Sequence, residues 1–161
     1  MKILPVRQLD LPEILAVQKA AFAAEAQLVN DGNIPPLTQT LDELADDWRK
    51  GCMLKALNEQ NVIIGTVRGH KADDGFYIGR LAVLPQWQGR GCGSALLEAI
   101  IAQVKTQAQN LAQTRAQASR LVLFTSAKSE RNLRLYERFG FKPFKKSTTA
   151  TGVDLVWLEK K

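Results

Sequence analysis

A chain of 161 residues with 45% apolar and 24% charged side chains predicts one globular domain, spanning residues 1–161, with a single adequate core. The formal net charge of +6 favours an anionic partner, but the Lys and Arg are scattered, without the dense basic block and interleaved aromatics of a nucleic-acid binder. Two cysteines, Cys52 and Cys92, and one histidine, His70, exclude a disulfide framework, argue against a metal site and fit a reducing compartment.

The opening MKILPVRQLD has too short an apolar run for a signal peptide, and no stretch reaches membrane-spanning length, so a cytoplasmic protein with no membrane partner is expected. Lys2 to Val6 reads as a first strand. Asp10 is placed to cap a helix, with Pro12 in its first turn and Ile14, Leu15, Val17, Ala20, Ala21 and Phe22 on its apolar face. Residues 29–37, VNDGNIPPL, form a loop by their Asn, Gly and Pro content. Thr40 with Glu43 makes a capping box for a short helix that Gly51 closes.

Three extended segments follow: Met53–Leu57, Val62–Arg68 and Phe76–Leu84. Turn signals at Asn58–Asn61 and at Asp73-Asp74-Gly75 join them into an antiparallel meander. After a glycine-rich stretch, Leu96, Leu97, Ile100, Ile101, Val104, Ala108 and Leu111 repeat at helical spacing, over a helix that runs to about Ala118 or breaks near Asn110. Leu121–Phe124 is a short buried strand. Ser129 starts a helix running to Phe139, stopped by Gly140 and its apolar follower Phe141. Phe144–Ser147 and Val153–Glu159 finish as two antiparallel strands. This order predicts an α+β fold in three layers, with a mixed, mostly antiparallel central sheet flanked by helices.

Gly89, Gly91 and Gly93 lie between a strand and a helix N-terminus, where glycine weakens the first turn. Such a loop makes an anion cradle: unpaired backbone N–H groups converge, the helix dipole adds positive potential, and glycine lets the backbone approach a phosphate. Ser94 adds a hydroxyl and Arg90 a charge. The loop lacks the lysine of a P-loop. It also lacks the parallel βαβ setting and downstream acid of a dinucleotide fold.

Gln88-Gly89-Arg90-Gly91-Cys92-Gly93 resembles the Q/R-x-x-G-x-G/A signature of the GNAT acetyltransferase superfamily. The resemblance extends upstream to Arg80-Leu81-Ala82-Val83-x-Pro85 and downstream to Asn132-x-x-x-Tyr136-x-x-x-Gly140-Phe141. It covers nearly the whole chain and is weakest over residues 22–50. It implies an acyl-CoA N-acyltransferase fold and direct transfer of an acetyl group from acetyl-CoA to a primary amine, on a small molecule or a peptide, in a ternary complex. It implies that the amides of Gln88, Gly89, Arg90, Gly91, Cys92, Gly93 and Ser94 hold the cofactor pyrophosphate. The backbone of Leu81, Ala82 and Val83 would pair with the pantetheine arm, with one amide near Leu81 polarising the thioester carbonyl.

In the family, Asn132 would contact the cofactor arm and the Tyr136 hydroxyl would face the sulfur. The two are four apart, on one helix face. A tyrosine titrates near about 10 and a thiol near about 8.5, so full proton transfer is uphill by roughly 2 kcal/mol and hydrogen bonding to the nascent thiolate matters more. An alkyl amine is only roughly 0.04% neutral at pH 7, a penalty of about 4–5 kcal/mol that a general base relieves. Many family members carry a glutamate where this chain has Tyr77. The base is therefore sought among Glu25, Asp73, Asp74 and Tyr77, or is absent. Glu25 sits where the family builds its acceptor site; Asp73 and Asp74 read better as turn residues.

Arg131, Arg134 and Arg138 read as a charged helix face that could meet a ribose phosphate. Trp87 is placed to cover the loop, and Cys92 reads as a small residue in it rather than a nucleophile. The departure at Tyr77 keeps a second reading open, a coenzyme A-binding sensor or regulatory domain without turnover. Oligomeric state is left open; the final strands could exchange between subunits of a homodimer, as in some relatives.

Overall fold

The computed structural model describes residues 1–110 and 120–161. The elements are β1 (Lys2–Pro5), α1 (Leu11–Leu28), α2 (Pro35–Thr38), α3 (Leu41–Lys50), β2 (Cys52–Leu57), β3 (Ile63–Ala72), β4 (Gly75–Val83), α4 (Cys92–Asn110), β5 (Leu121–Ser126), α5 (Glu130–Arg138), β6 (Lys142–Thr148) and β7 (Asp154–Lys160). The strands form one sheet in the order β1-β2-β3-β4-β5-β7-β6, antiparallel except where β4 meets β5. The mixed, helix-flanked sheet expected from the element order is therefore the one observed.

Each face of the sheet buries its own apolar set. Leu96, Leu97 and Ile100 of α4 are fully buried against Ile64, Val67, Ile78, Leu123 and Leu158. On the other face Leu11, Ile14 and Val17 of α1 and Leu44 of α3 cover Met53, Leu57 and Ile63. Each such side chain contributes about 1.5–3 kcal/mol of transfer free energy, so the two layers clamp the sheet independently of the site.

Several local expectations change. The loop at residues 29–37 contains a helical turn, because Ile34 is extended and the prolines at 35 and 36 carry the φ a first helical turn needs. Asp10 does not cap α1. Its carboxylate instead accepts from the Arg7 backbone N–H at 2.8 Å and from Lys55 Nζ at 2.6 Å, a buried ion pair beneath the first turn. Thr40 and Glu43 do form the capping box. Gly51 ends α3 in extended rather than left-handed conformation; a Cβ there would lie 2.3 Å from the Gly69 carbonyl oxygen. The meander is longer than expected, with β3 running on to Ala72 in a tight hairpin with β4. Continuation of α4 towards Ala118 lies outside the described residues.

Two irregularities position the site. Between Thr66 and Arg68 the β3–β4 register slips: Thr66 faces Ala82 and Arg68 faces Gly79, so Arg80 and Leu81 together oppose Val67. This is a β-bulge, with Arg80 in the left-handed region at φ 53°. Bulges increase local twist and bend the strand. Beside it, β4 and β5 pair only at Phe76↔Leu121 and Tyr77↔Val122, although β4 continues to Val83 and β5 to Ser126. The two strands open into a gap whose β4 edge has no strand partner among the described residues.

Candidate active site

The glycine loop sits at the mouth of that gap. Gly89 and Gly91 have φ of 76° and 84°, which only glycine adopts without strain. Ala95 N–H donates to the Gly91 carbonyl at 3.0 Å, opening α4. Among the described residues, none of the six amides from Gly89 to Ser94 has a hydrogen-bond acceptor. A Cβ at Gly91 would meet no heavy atom of the described residues within 4 Å, so among them the concavity beside these amides is open. Six unpaired donors at the positive end of a long helix fit a phosphate or pyrophosphate. Gly93 is different: it has no left-handed φ, and a Cβ there would make ordinary contacts with Leu135 at 3.7 Å and Val83 at 3.9 Å.

The neighbours of the loop divide the work. Gln88 holds it in place: its amide donates to the Pro85 carbonyl, its side-chain Nε2 donates to the Val83 carbonyl at 3.0 Å, and its Oε1 accepts from Arg131. Its donors are thus used within the protein, unlike those of the next six residues. Arg131 also lies 4.0 Å from where a Cβ of Gly89 would be, so it brings positive charge over the loop. The Arg90 guanidinium stacks 4.9 Å over the Trp87 ring, which ties the loop to the turn before it. Cys92 is buried in the core and burial pushes its thiol up to about 11, so only its backbone faces the cradle. Arg134 pairs with Glu130 on the exposed face of α5.

Leu81, Ala82 and Val83 form the β4 edge of the gap. The Leu84 N–H donates to Ile64 on β3, so by strand alternation the N–H groups of Val83 and Leu81 turn the other way, towards the gap. On its far side, Asn132 Nδ2 donates to Thr125 Oγ1 of β5 at 3.2 Å, which fixes the start of α5 to that strand.

Tyr136 is placed by the end of α5. Gly140, at φ 89°, donates to the Glu137 carbonyl and Phe141 donates to the Tyr136 carbonyl, which together make a Schellman stop. The follower, Phe141, packs edge-on against the Tyr136 ring at 6.2 Å. The ring is buried, yet its hydroxyl has no hydrogen bond among the described residues, and no fully sealed side-chain polar atom lacks a partner. The hydroxyl therefore opens to solvent. Burial, and secondly the charge of Glu25, push its pKa well above the usual phenol value.

Glu25 is thereby brought to Tyr136. It is half-buried near the end of α1, and burial raises its carboxyl above the usual glutamate value. Tyr77 is not presented in the same way. It lies where the sheet is still closed, stacks on His70 at 5.7 Å, and its hydroxyl donates to Asp74 at 3.0 Å. Asp74 also accepts from Arg120, in keeping with its turn role.

One polar cluster has no counterpart in the sequence expectations. Arg68 donates from Nη1 to Gln18 at 3.1 Å and from Nη2 to Gln39 at 3.1 Å, and pairs with Asp47 at 3.2 Å. Gln18, 1% exposed, in turn donates to the Pro36 carbonyl and to Gln39, tying α2 to α1. Arg80 lies beside this cluster. The visible signal was slight: a glutamine on the apolar face of α1 and an arginine between two glycines of β3. Among the described residues no group of three or more His, Cys, Asp or Glu is arranged to hold a metal ion, and no helix is long and apolar enough to cross a membrane.

Comparison with known proteins agrees with this geometry. The ribosomal-protein-S18-alanine N-acetyltransferase of Escherichia coli superposes with a TM-score of 0.75 at 18% identity, covering 99% of this chain and 92% of that one. An N-acetyltransferase from Staphylococcus aureus gives 0.75 at 19%, covering 98% and 96%. A GNAT superfamily phosphinothricin acetyltransferase from Sinorhizobium meliloti, in complex with AcCoA, gives 0.75 at 15%, covering 99% and 86%. At these identities the likeness speaks for the fold. Among curated protein sequences no significant match was found. The family described as acetyltransferase (GNAT) domain matches residues 49–143, a span that holds the bulged β4, the glycine loop and Tyr136, and the chain belongs to that family.

Proposed function

We propose that the protein is an acetyl-CoA-dependent N-acetyltransferase acting on a primary amine. The observation that carries the reading is the row of six unaccepted amides at Gly89–Ser94, set at the mouth of the gap beside Tyr136. Acetyl-CoA bound there supplies an activated thioester. The amides of Gly89–Ser94 bind the pyrophosphate, Arg131 adds charge, and the free β4 edge at Leu81–Val83 aligns the pantetheine arm as an added strand.

Three jobs then fall to side chains and backbone at the reacting end. The Leu81 N–H stabilises the oxygen that gains charge as the amine attacks. Tyr136 donates a hydrogen bond to the departing sulfur. Its raised pKa keeps it a donor throughout the neutral range, and makes outright proton loss harder than for a free phenol. Glu25 accepts the amine proton, directly or through a water; burial, which raises its carboxyl, moves it towards the pKa a base needs near neutrality. Asn132, held by Thr125, orients the arm.

A second reading, a coenzyme A sensor without turnover, is favoured by one observation. The β4 position where many relatives carry an acid holds Tyr77, whose hydroxyl is tied to Asp74. Calorimetric titration with acetyl-CoA and coenzyme A, followed by thiol release against an amine panel, separates the two. Micromolar binding with amine-dependent release supports the enzyme. Binding without release on a broad panel supports the sensor, and absence of binding removes both.

A further inference from the structure

We infer that the amine acceptor carries a carboxylate close to its amino group, and that Arg80, backed by Arg68, binds it. The inference rests on the acetyltransferase reading and names the substrate class of the same site.

Arg80 and Arg68 lie on the face of the sheet covered by α1 and α3, opposite α4, so they are not part of the phosphate cradle. Arg68 is committed to the protein: its side chain is 12% exposed and it is engaged by Gln18, Gln39 and Asp47. Arg80 is half-buried and has no hydrogen bond or ion pair among the described residues. Burial first, and then the nearby charge of Arg80, push the Arg68 guanidinium down, against the opposing pull of Asp47, to about 10. Asp47 is the carboxylate whose charge acts on both. Two guanidinium groups against one carboxylate leave one positive charge without a protein partner in a partly desolvated place, where water competes less for an anion than it does on the open surface.

The position of Arg80 ties this charge to the reaction. It directly precedes Leu81, whose amide faces the reacting carbonyl in the proposed mechanism. On its other side, a Cβ at Gly79 would meet nothing of the described residues within 4 Å, which leaves room among them on that face. The left-handed φ of Arg80 is unfavourable for a non-glycine residue, and such strain collects at binding sites. An excess of one charge matches a carboxylate monoanion better than a phosphate dianion, and the guanidinium fork suits a planar carboxylate.

The test compares kcat/KM, corrected for the neutral fraction of each amine, for glycine, β-alanine and γ-aminobutyrate against their carboxamides, with phosphoethanolamine and a neutral peptide with an N-terminal alanine as further arms. At least one acid should exceed its amide by about tenfold to a hundredfold, the range of a charge-assisted hydrogen bond. In Arg80→Gln that ratio falls towards one, and in Arg80→Lys most of it returns. Arg80→Gly relieves the left-handed strain, so it melts no lower than the parent yet also loses the ratio. Coenzyme A affinity, read by calorimetry, stays the same in all three. Equal treatment of acids and amides, preference for phosphoethanolamine or the neutral peptide, or an acid preference surviving in Arg80→Gly overturns the inference. If acetyl-CoA binds but nothing turns over, calorimetry of the same acids and amides on the acetyl-CoA complex decides: selective binding of an acid supports the inference, and its absence overturns it. Absence of acetyl-CoA binding is a separate result and sinks the acetyltransferase reading.

Discussion

Gly91 and Gly93 look equivalent in the sequence, but the structure predicts opposite outcomes for them. Gly91→Ala places a Cβ on a residue at φ 84°, a conformation that costs an L-residue about 1–2 kcal/mol, although the Cβ itself meets no atom. If the loop holds its shape, Tm falls by about 2–4 °C for each kcal/mol, and the Cβ occupies the open concavity where a phosphate would sit. If it relaxes, the neighbouring amides turn away. Either way, losing one charge-assisted hydrogen bond at about 1.5–3 kcal/mol lowers coenzyme A affinity by about one to two orders of magnitude. Gly93→Ala adds a Cβ in ordinary contact with Leu135 and Val83 and at an unstrained φ. Replacing Gly by Ala in a helix contributes roughly 0.5–1 kcal/mol, so this variant should melt at or slightly above the parent, with affinity largely kept. Calorimetry and a thermal melt on both variants suffice. Parent-like affinity in Gly91→Ala, in a folded protein, would refute the cradle. Collapse of Gly93→Ala would refute the assignment of strain to Gly91.

Tyr136→Phe keeps the packing on Phe141 and removes only the hydroxyl. It should lower kcat by about tenfold to a hundredfold, the worth of a hydrogen bond to a charged group, with coenzyme A affinity and Tm nearly unchanged; unaltered kcat across pH 6–9 excludes the leaving-group role. Glu25→Gln should lower activity and remove an acid limb of the pH–rate profile that lies above the usual carboxylate range. Because folding raises the Glu25 pKa, its ionised form opposes folding above that pKa; Glu25→Gln therefore melts higher than the parent at neutral pH, and the gain vanishes below the unfolded carboxylate pKa. A melt difference that is the same at both pH values contradicts this.

Asp10→Asn should cost about 3–5 kcal/mol, because it leaves the buried Lys55 ammonium without its partner. Burial raises the Asp10 carboxyl, but hydrogen bonds from Lys55 and Arg7 outweigh it and hold it at about 2. The parent's stability from this group is present above the unfolded value near 3.8 and is lost as pH falls through about 2. Urea titrations across that window should show the loss in the parent and not in Asp10→Asn.

What the sequence by itself determined was local. The helix faces at Leu96, Leu97 and Ile100, the Thr40–Glu43 box and the Gly140-Phe141 stop depend on residues a few positions apart, whose hydrogen bonds and periodicity are fixed by the backbone. The glycine loop was legible for the same reason: positive φ and free amides are properties of a short stretch. Local rules misled where a distant partner won. Asp10 has the chemistry of a helix cap, but Lys55, on a strand 45 positions away, holds its carboxylate. Only the tertiary structure brought Glu25 of α1 near enough to Tyr136 of α5 for its charge to act on the hydroxyl, and only it opened β4 from β5 after Tyr77. It alone set Arg80 beside Arg68 and Asp47, since a bulge of one residue changes which side chains reach which face, and no spacing along the chain records that slip.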